Sequence, residues 1–294
     1  MAHGKGLFAQ HGIKAQKPVL FRSWAGLAEA FLSGQVNLIH VLSPMSVWMC
    51  YGSRAPRCEH ACRFAGANGG DSVWYSIHNI ILQQMLRQAG LAVVEKNPQA
   101  GQVRLTVMAP SDMVAALAAK QIGGFIVAEP FNALAEAKGV DKILRFSGDI
   151  WRDHACCLSM MHDHDIQSRP DWVQGVINAL VDAASFAKHH RAVLQREPVV
   201  WQKYERSGAI RHAEWQQRRV DFQPFPFQSY SELLVRLLKE THLAGVNTFL
   251  HDVQPEKVAR ELFDTRFVEH ALQRNDLMSS FGLQSLKRQE TFDL

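Results

Sequence analysis

Residues 1–150 switch repeatedly between two apolar periods, and that switching admits few folds. Short runs rich in β-branched residues, Val36 to Val41, Val103 to Met108 and Phe125 to Val127, fit buried strands. Helical stretches alternate with them. Ser23 can cap a helix through Trp24, Leu27, Ala28, Phe31 and Leu32 that Gly34 can end. Ser43-Pro44 starts another, with proline where a missing N–H costs nothing. Ser76 precedes Ile77, Ile80, Ile81 and Met85 at helical spacing, up to Gly90. Pro110-Ser111-Asp112 opens a helix through Met113, Leu117 and Ala118, and Glu129-Pro130 opens the next. Alternation of this kind predicts an α/β fold with largely parallel sheets.

The second half reads differently. Ser168 is expected to cap a long helix whose inner face is Trp172, Val173, Val176, Ile177, Leu180, Val181 and Ala184. Further helices are expected near residues 199–206, 230–243, 255–263 and 266–272. Gln223 to Gln228, with prolines at 224 and 226, reads as a stiff extended connector. Residues 283–294 are polar and are expected to fray.

Composition narrows the function classes. Hydrophobic residues make up 47% of 294 and charged residues 20%, which is globular composition. The net charge of +4 comes from dispersed basic residues with only short runs such as Arg218-Arg219, so no nucleic-acid arm is present. No apolar run is long enough to span a bilayer, and Met1 to Phe8 does not read as a secretory signal. The cysteines number five, so a fully paired disulfide framework is impossible, which favours a reducing compartment.

Four segments carry a resemblance. Lys5 to Ile13 resembles a "GxFxxxGL" helix end. Ser23-Trp24 through Ser33-Gly34 to His40, then Ser43-Pro44-Met45, resembles a helix, "SG-hydrophobic", "(S/A/T)PM" unit. Gly124 to Asn132, containing Glu129-Pro130, is close to "GxxVGEPWN", and Gly148 to His154 is close to "(E/D)xWxxHP". In this order they resemble the substrate-binding proteins of ABC importers, in the nitrate, bicarbonate, sulfonate and taurine branch. That family has the two-lobed periplasmic-binding-protein type II fold, an α/β fold with a hinge and a helical C-terminal tail. The resemblance implies a first lobe from 1–65 and 160–294 and a second lobe from 66–159. It implies capture of a small anion or organic acid for an ABC permease by lobe closure, without catalysis or cofactor, by a monomer at the periplasm or cell surface. It also implies that the family's opening strand and export signal are missing ahead of Met1, as in a truncated gene.

Two departures stand out. Gly52 to Asp71 does not read as the family's strand, ligand loop and strand, and only Asn68-Gly69 matches its "NG" loop. This stretch is expected to be irregular. The lysine that nitrate-binding members carry after "HP" is absent, since Ala155-Cys156-Cys157 follows His154.

The candidate ligand-binding residues are Trp24, Ser43, Met45, His78, Glu129, Trp151, Arg152 and His154. Helix starts at Ser43, Ser76, Ser111 and Glu129 offer free N–H groups and a favourable dipole to an oxyanion. Trp24 matches a pocket tryptophan of the relatives, or else is a core tryptophan. His78 matches a ligand-contacting histidine; at a helix N-terminus a neutral imidazole donating one hydrogen bond is favoured over a charged one. Glu129 either pairs with a cation or a ligand N–H, or only favours its own helix start. Arg152 is either a bidentate clamp for an anion or a solvated surface arginine. Cys58, His60 and Cys62, with Cys50, permit a zinc reading but lack a companion pair, and His162 to Asp165 reads as a polar turn, so no metal is assigned. Cys156-Cys157 beside His154 invites a nucleophile reading. Strand alternation would let at most one cysteine meet a pocket, and a buried structural cysteine is the stronger reading. Two other functions stay open: a cytoplasmic sensor of the same fold acting on a protein partner, and an enzyme resembling the pyrimidine synthase of thiamine biosynthesis.

Overall fold

The structure, a computed structural model, describes residues 1–21, 23–52, 74–140, 142–190, 221–224, 227–245 and 247–294. All of the expected irregular stretch beyond Gly52, the Cys58–His60–Cys62 cluster, the Asn68-Gly69 loop and the helix near 199–206 lie outside the described residues, as does the middle of the Gln223–Gln228 connector.

The chain opens with a short helix α1 (Leu7–Gln10), then α2 (Trp24–Leu32). Ser23 Oγ accepts from the Gly26 N–H at 3.1 Å and so satisfies one orphan donor of the first turn of α2. Gly34, at φ 76°, lets the chain leave that helix in a left-handed step. Strand β1 (Leu38–Leu42) runs directly into α3 (Ser43–Val47), which a π-turn extends over Trp48–Gly52. Ser76 caps α4 (Ile77–Gln88) by accepting from Asn79 N–H at 3.2 Å.

A middle segment follows: β2 (Ala92–Val93), β3 (Gln102–Val103), α5 (Pro110–Ala118) and α6 (Phe131–Ala137). The strands expected at 103–108 and 125–127 are not formed as such. Only Gln102–Val103 pairs, in parallel with Ala92–Val93, and residues 124–128 form no ladder. Their β-branched content supplies propensity, but a strand exists only where a neighbour accepts its hydrogen bonds. Among the described residues this segment buries few apolar side chains, Val114, Ala116 and Ala135, and leaves Val107, Leu134 and Leu144 exposed.

The return passes through α7 (Ser147–Ile150) to β4 (Cys157–Met161). Strand β4 lies antiparallel to β1, with Leu38 opposite Met161 and Leu42 opposite Cys157. The described sheets are therefore one antiparallel pair and one short parallel pair, not the largely parallel arrangement expected. Next come α8 (Asp163–Ser168) and α9 (Pro170–His189). Ser168 ends α8 rather than capping the long helix: its hydroxyl donates back to the His164 carbonyl at 2.6 Å, and Pro170 opens α9. Among the described residues the remaining helices are α10 (Gln228–Glu240), α11 (Phe249–Asp252), α12 (Pro255–Leu262), α13 (Arg266–Leu272) and α14 (Leu277–Phe281).

The main core joins distant stretches of chain. Phe31, Val41, Met45 and Met49 meet Ile77, Ile80 and Ile81 of α4, then Ile150, Trp151 and the Tyr230–Leu234–Leu238 face of α10. A smaller core sets Val181 of α9 against Ala271, Leu272, Leu277 and Phe281. The C-terminal stretch does not fray. Glu290 accepts from Trp151 Nε1 at 2.9 Å, Arg152 N–H donates to the Thr291 carbonyl at 3.1 Å, and Asp293 N–H donates to the Ile150 carbonyl at 2.7 Å. Phe292 and Leu294 pack on the main core. Together with Leu283 and Leu286, which pack on the cores as well, these apolar side chains hold down a polar-looking stretch.

Candidate functional site

An open cleft of about 2370 Å³ runs between the middle segment and the β1–β4 side of the fold. Its wall includes His78 from the first turn of α4, His154 and Cys156 from the stretch leading into β4, Cys157 at the start of that strand, and Glu129 and Arg145 from the middle segment. Of the expected residues, the cleft brings together His78, Glu129 and His154.

His78 owes its position to the Ser76 cap, which sets the helix start and turns its second residue outward to the cleft. The ring keeps part of its surface open while protein surrounds the rest. That burial pushes its pKa from 6.5 to about 4, with the neighbouring His154 acting in the same direction. His154 is also held below the usual imidazole range, mainly by burial. The Trp151 carbonyl and Asp153 oppose the shift, and Arg288 adds to it. A carbonyl can only accept, so the 2.8 Å contact with Trp151 O places the His154 proton on Nδ1 and leaves Nε2 as an acceptor. At neutral pH the cleft therefore presents two uncharged imidazoles within electrostatic reach of each other.

Glu129 carries the helix-start contact that its position implied: Oε2 accepts from the Ala133 N–H of α6 at 3.1 Å. Asn132 Nδ2 donates to the Val127 carbonyl at 2.8 Å and ties the same helix to the cleft-lining stretch before it.

The other expected residues lie off the cleft surface. Ser43 is fully buried behind it. Its Oγ and the Tyr230 hydroxyl are 2.8 Å apart, and both reach the Ala155 carbonyl, at 2.8 and 2.6 Å. Two hydroxyl protons cannot serve all three contacts, so the pair shares them. Burial holds the Tyr230 phenol well above its ordinary pKa, so it stays neutral. Met45 is core, and Trp151 is fully buried against Tyr230, with ring centroids 5.0 Å apart. Trp24 is partly buried against the main core. Arg152 stands with its side chain 48% exposed, 3.9 Å from Asp153.

Sequence reasoning missed Arg145. Its guanidinium lines the cleft yet is only 10% exposed, with Nη1 2.8 Å from Oδ2 of the fully buried Asp149 side chain. The separation is that of an ion pair, and its angle is not that of a good hydrogen bond, so the attraction is mainly of charge. The signal was a basic residue between Leu144 and Phe146, four positions before an acid. It also missed that both cysteines reach the cleft. Cys156 precedes β4, so the alternation that holds within a strand does not separate it from Cys157. Among the described residues no group of three or more His, Cys, Asp or Glu side chains is placed to hold a metal ion.

The NMT1-like family model matches residues 59–197. In sequence, the chain is 22% identical over 217 residues to the bicarbonate transport ATP-binding protein CmpC of Synechocystis sp. PCC 6803, covering 63% of this chain and 32% of that one. It therefore spans about a third of that relative. It is also 22% identical over 222 residues to the nitrate/nitrite binding protein NrtA of Nostoc sp. PCC 7120, covering 62% of this chain and 49% of that protein. In fold, the crystal structure of the periplasmic nitrate-binding protein NrtA from Synechocystis PCC 6803 matches with a TM-score of 0.59 at 14% identity, over 99% of this chain and 89% of that one. The chain thus has the two-lobed α/β fold of the periplasmic binding proteins, and part of its sequence is similar to a nitrate/nitrite binding protein and to a bicarbonate transport ATP-binding protein.

Proposed function

We propose that the chain is a solute-binding protein that captures a small oxyanion of the nitrate or bicarbonate class and delivers it to an ABC permease, at the periplasm or cell surface. The observation that carries this reading is the pair of neutral imidazoles, His78 and His154, on the wall of one open cleft. The neutral His78 ring can donate one N–H to an oxyanion without the large desolvation cost of a buried charge, and His154 Nε2, an acceptor, suits an anion that also carries a hydroxyl, as bicarbonate does. Arg145, already balanced by Asp149, supplies positive potential without leaving an unpaired cation when the cleft is empty. The similarity to proteins named for nitrate and bicarbonate transport supports the same class.

The lobes in this reading are 1–65 with 160–294, and 66–159. Thin packing of the middle segment favours motion of the second lobe against the first. Isothermal calorimetry and thermal shift with nitrate, nitrite, bicarbonate, taurine, alkanesulfonates and pyrimidines test the proposal. One oxyanion should raise stability by about 2.7 kcal/mol at a hundred-fold excess over its dissociation constant. His78→Ala should weaken it by roughly ten-fold or more, the loss of one hydrogen bond to a charged partner, and His154→Ala should weaken bicarbonate more than nitrate. Binding of none of the anions, or unchanged affinity in His78→Ala, refutes it.

A further inference from the structure

Cys156 and Cys157 stand side by side on the cleft wall, half-buried, with Cys157 Sγ donating to Cys156 Sγ at 3.8 Å. Neither is used in the reading above. We propose that this pair is a vicinal-dithiol site for a thiophilic ligand with two exchangeable positions, of the class of monosubstituted trivalent arsenicals.

The separation decides among the uses of two thiols. A soft centre about 2.3 Å from each sulfur spans about 3.8 Å at a tetrahedral angle and about 3.3 Å at a right angle. The observed distance meets the first and needs about 0.5 Å of closure for the second. A disulfide needs the sulfurs at about 2.05 Å, a closure of about 1.8 Å. It would also join Cα atoms only about 3.8 Å apart, below the usual range of such bonds. The pair is therefore better shaped to grip one atom than to oxidise. The absence of a third nearby His, Cys, Asp or Glu among the described residues argues against a fully protein-ligated metal ion. It suits a ligand that brings its own remaining substituent.

The step balances without redox chemistry. An arsonous acid, RAs(OH)2, exchanges two As–O bonds for two As–S bonds, and each thiol proton leaves with a hydroxide as water. Arsenic stays trivalent. The existing S–H···S contact eases loss of the first proton, since Cys156 is held below the usual thiol range by its bond from Cys157. Cys157 is held above that range by the same bond and by burial, so its proton leaves second.

The test is titration of the full chain with phenylarsine oxide in excess 2-mercaptoethanol, read by intact-mass spectrometry. A single adduct that survives the monothiol and is removed by 2,3-dimercaptopropanol is expected. Cys156→Ser or Cys157→Ser should each weaken it on the order of 10²–10⁴-fold, the gain that a second tethered contact provides. Cys50→Ser and the double variant Cys58→Ser with Cys62→Ser should leave it. Should a Cys156 or Cys157 variant misfold, alkylation footprinting of the unaltered chain replaces it: phenylarsine oxide must protect the peptide holding both residues from iodoacetamide. An adduct unchanged in the Cys156 and Cys157 variants, lost in the Cys58/Cys62 variant, or without protection at 156–157 overturns the proposal. Oxyanion calorimetry on the same variants reads the transport proposal separately, so either can fail alone.

Discussion

Acidification should destabilise this protein through His78. Its folded pKa of about 4 lies below the 6.5 of an unperturbed imidazole, so in that window the unfolded chain binds the proton and the folded chain does not. Stability from this residue is full above about pH 6.5 and is lost as pH falls towards 4. At pH 5 the unfolded imidazole is favoured by a factor of about 33 and the folded one by about 1.1, so the loss is about 2 kcal/mol relative to neutral pH. The limiting loss, reached below pH 4, is about 3 kcal/mol. His154 and His40 are depressed by burial as well and act in the same direction. The assay is urea unfolding at pH 7.5 and pH 5 for the unaltered chain and for His78→Gln, whose side chain does not titrate. The unaltered chain should lose about 2 kcal/mol more than the variant across that interval. Parallel pH profiles, or an imidazole titration by NMR that puts His78 near 6.5, would show that the cleft does not bury this ring.

Two further outcomes follow from the packing. Glu290 is 6% exposed and accepts from Trp151, Ser229 and Arg288, so Glu290→Leu should cost about 3–5 kcal/mol in urea unfolding, with Glu290→Gln recovering part of it; a loss under about 1 kcal/mol would mean that the C-terminal stretch is not seated. A Cβ at Gly175 would lie 2.8 Å from Ile13 Cδ1 and 3.0 Å from the His11 carbonyl, so Gly175→Ala should cost about 1–3 kcal/mol by calorimetry, and an unchanged melting temperature would count against the α1–α9 contact.

Local signals in the sequence were read correctly where the chemistry is local. Ser23, Gly34, Ser76 and Pro110 act within one turn of themselves, and each opens or closes its helix as expected. Readings that depended on a distant partner fared less well. Val103 to Met108 has strand composition, but its strand stops where pairing with Ala92–Val93 stops. Residues 283–294 read as polar because what seats Phe292 and the carboxylate of Glu290 is Trp151, far upstream. Two of the residues that the resemblance offered as ligand contacts, His78 and His154, stand on the cleft wall, whereas Arg145 became visible only once its burial against Asp149 was known.

The seating of residues 288–294 around Trp151 also bears on how the chain reaches its fold. Trp151 is sealed by partners almost 140 positions later, and β1 pairs with β4 across a comparable loop. Closing such loops is slow, because their entropy is lost before any contact repays it. During synthesis the apolar faces of α4 and Trp151 emerge long before Tyr230, Glu290 and Phe292 arrive to cover them. A nascent chain of this design presents unfinished core to the cell for most of its elongation, and is a natural client for chaperones that shield such surfaces.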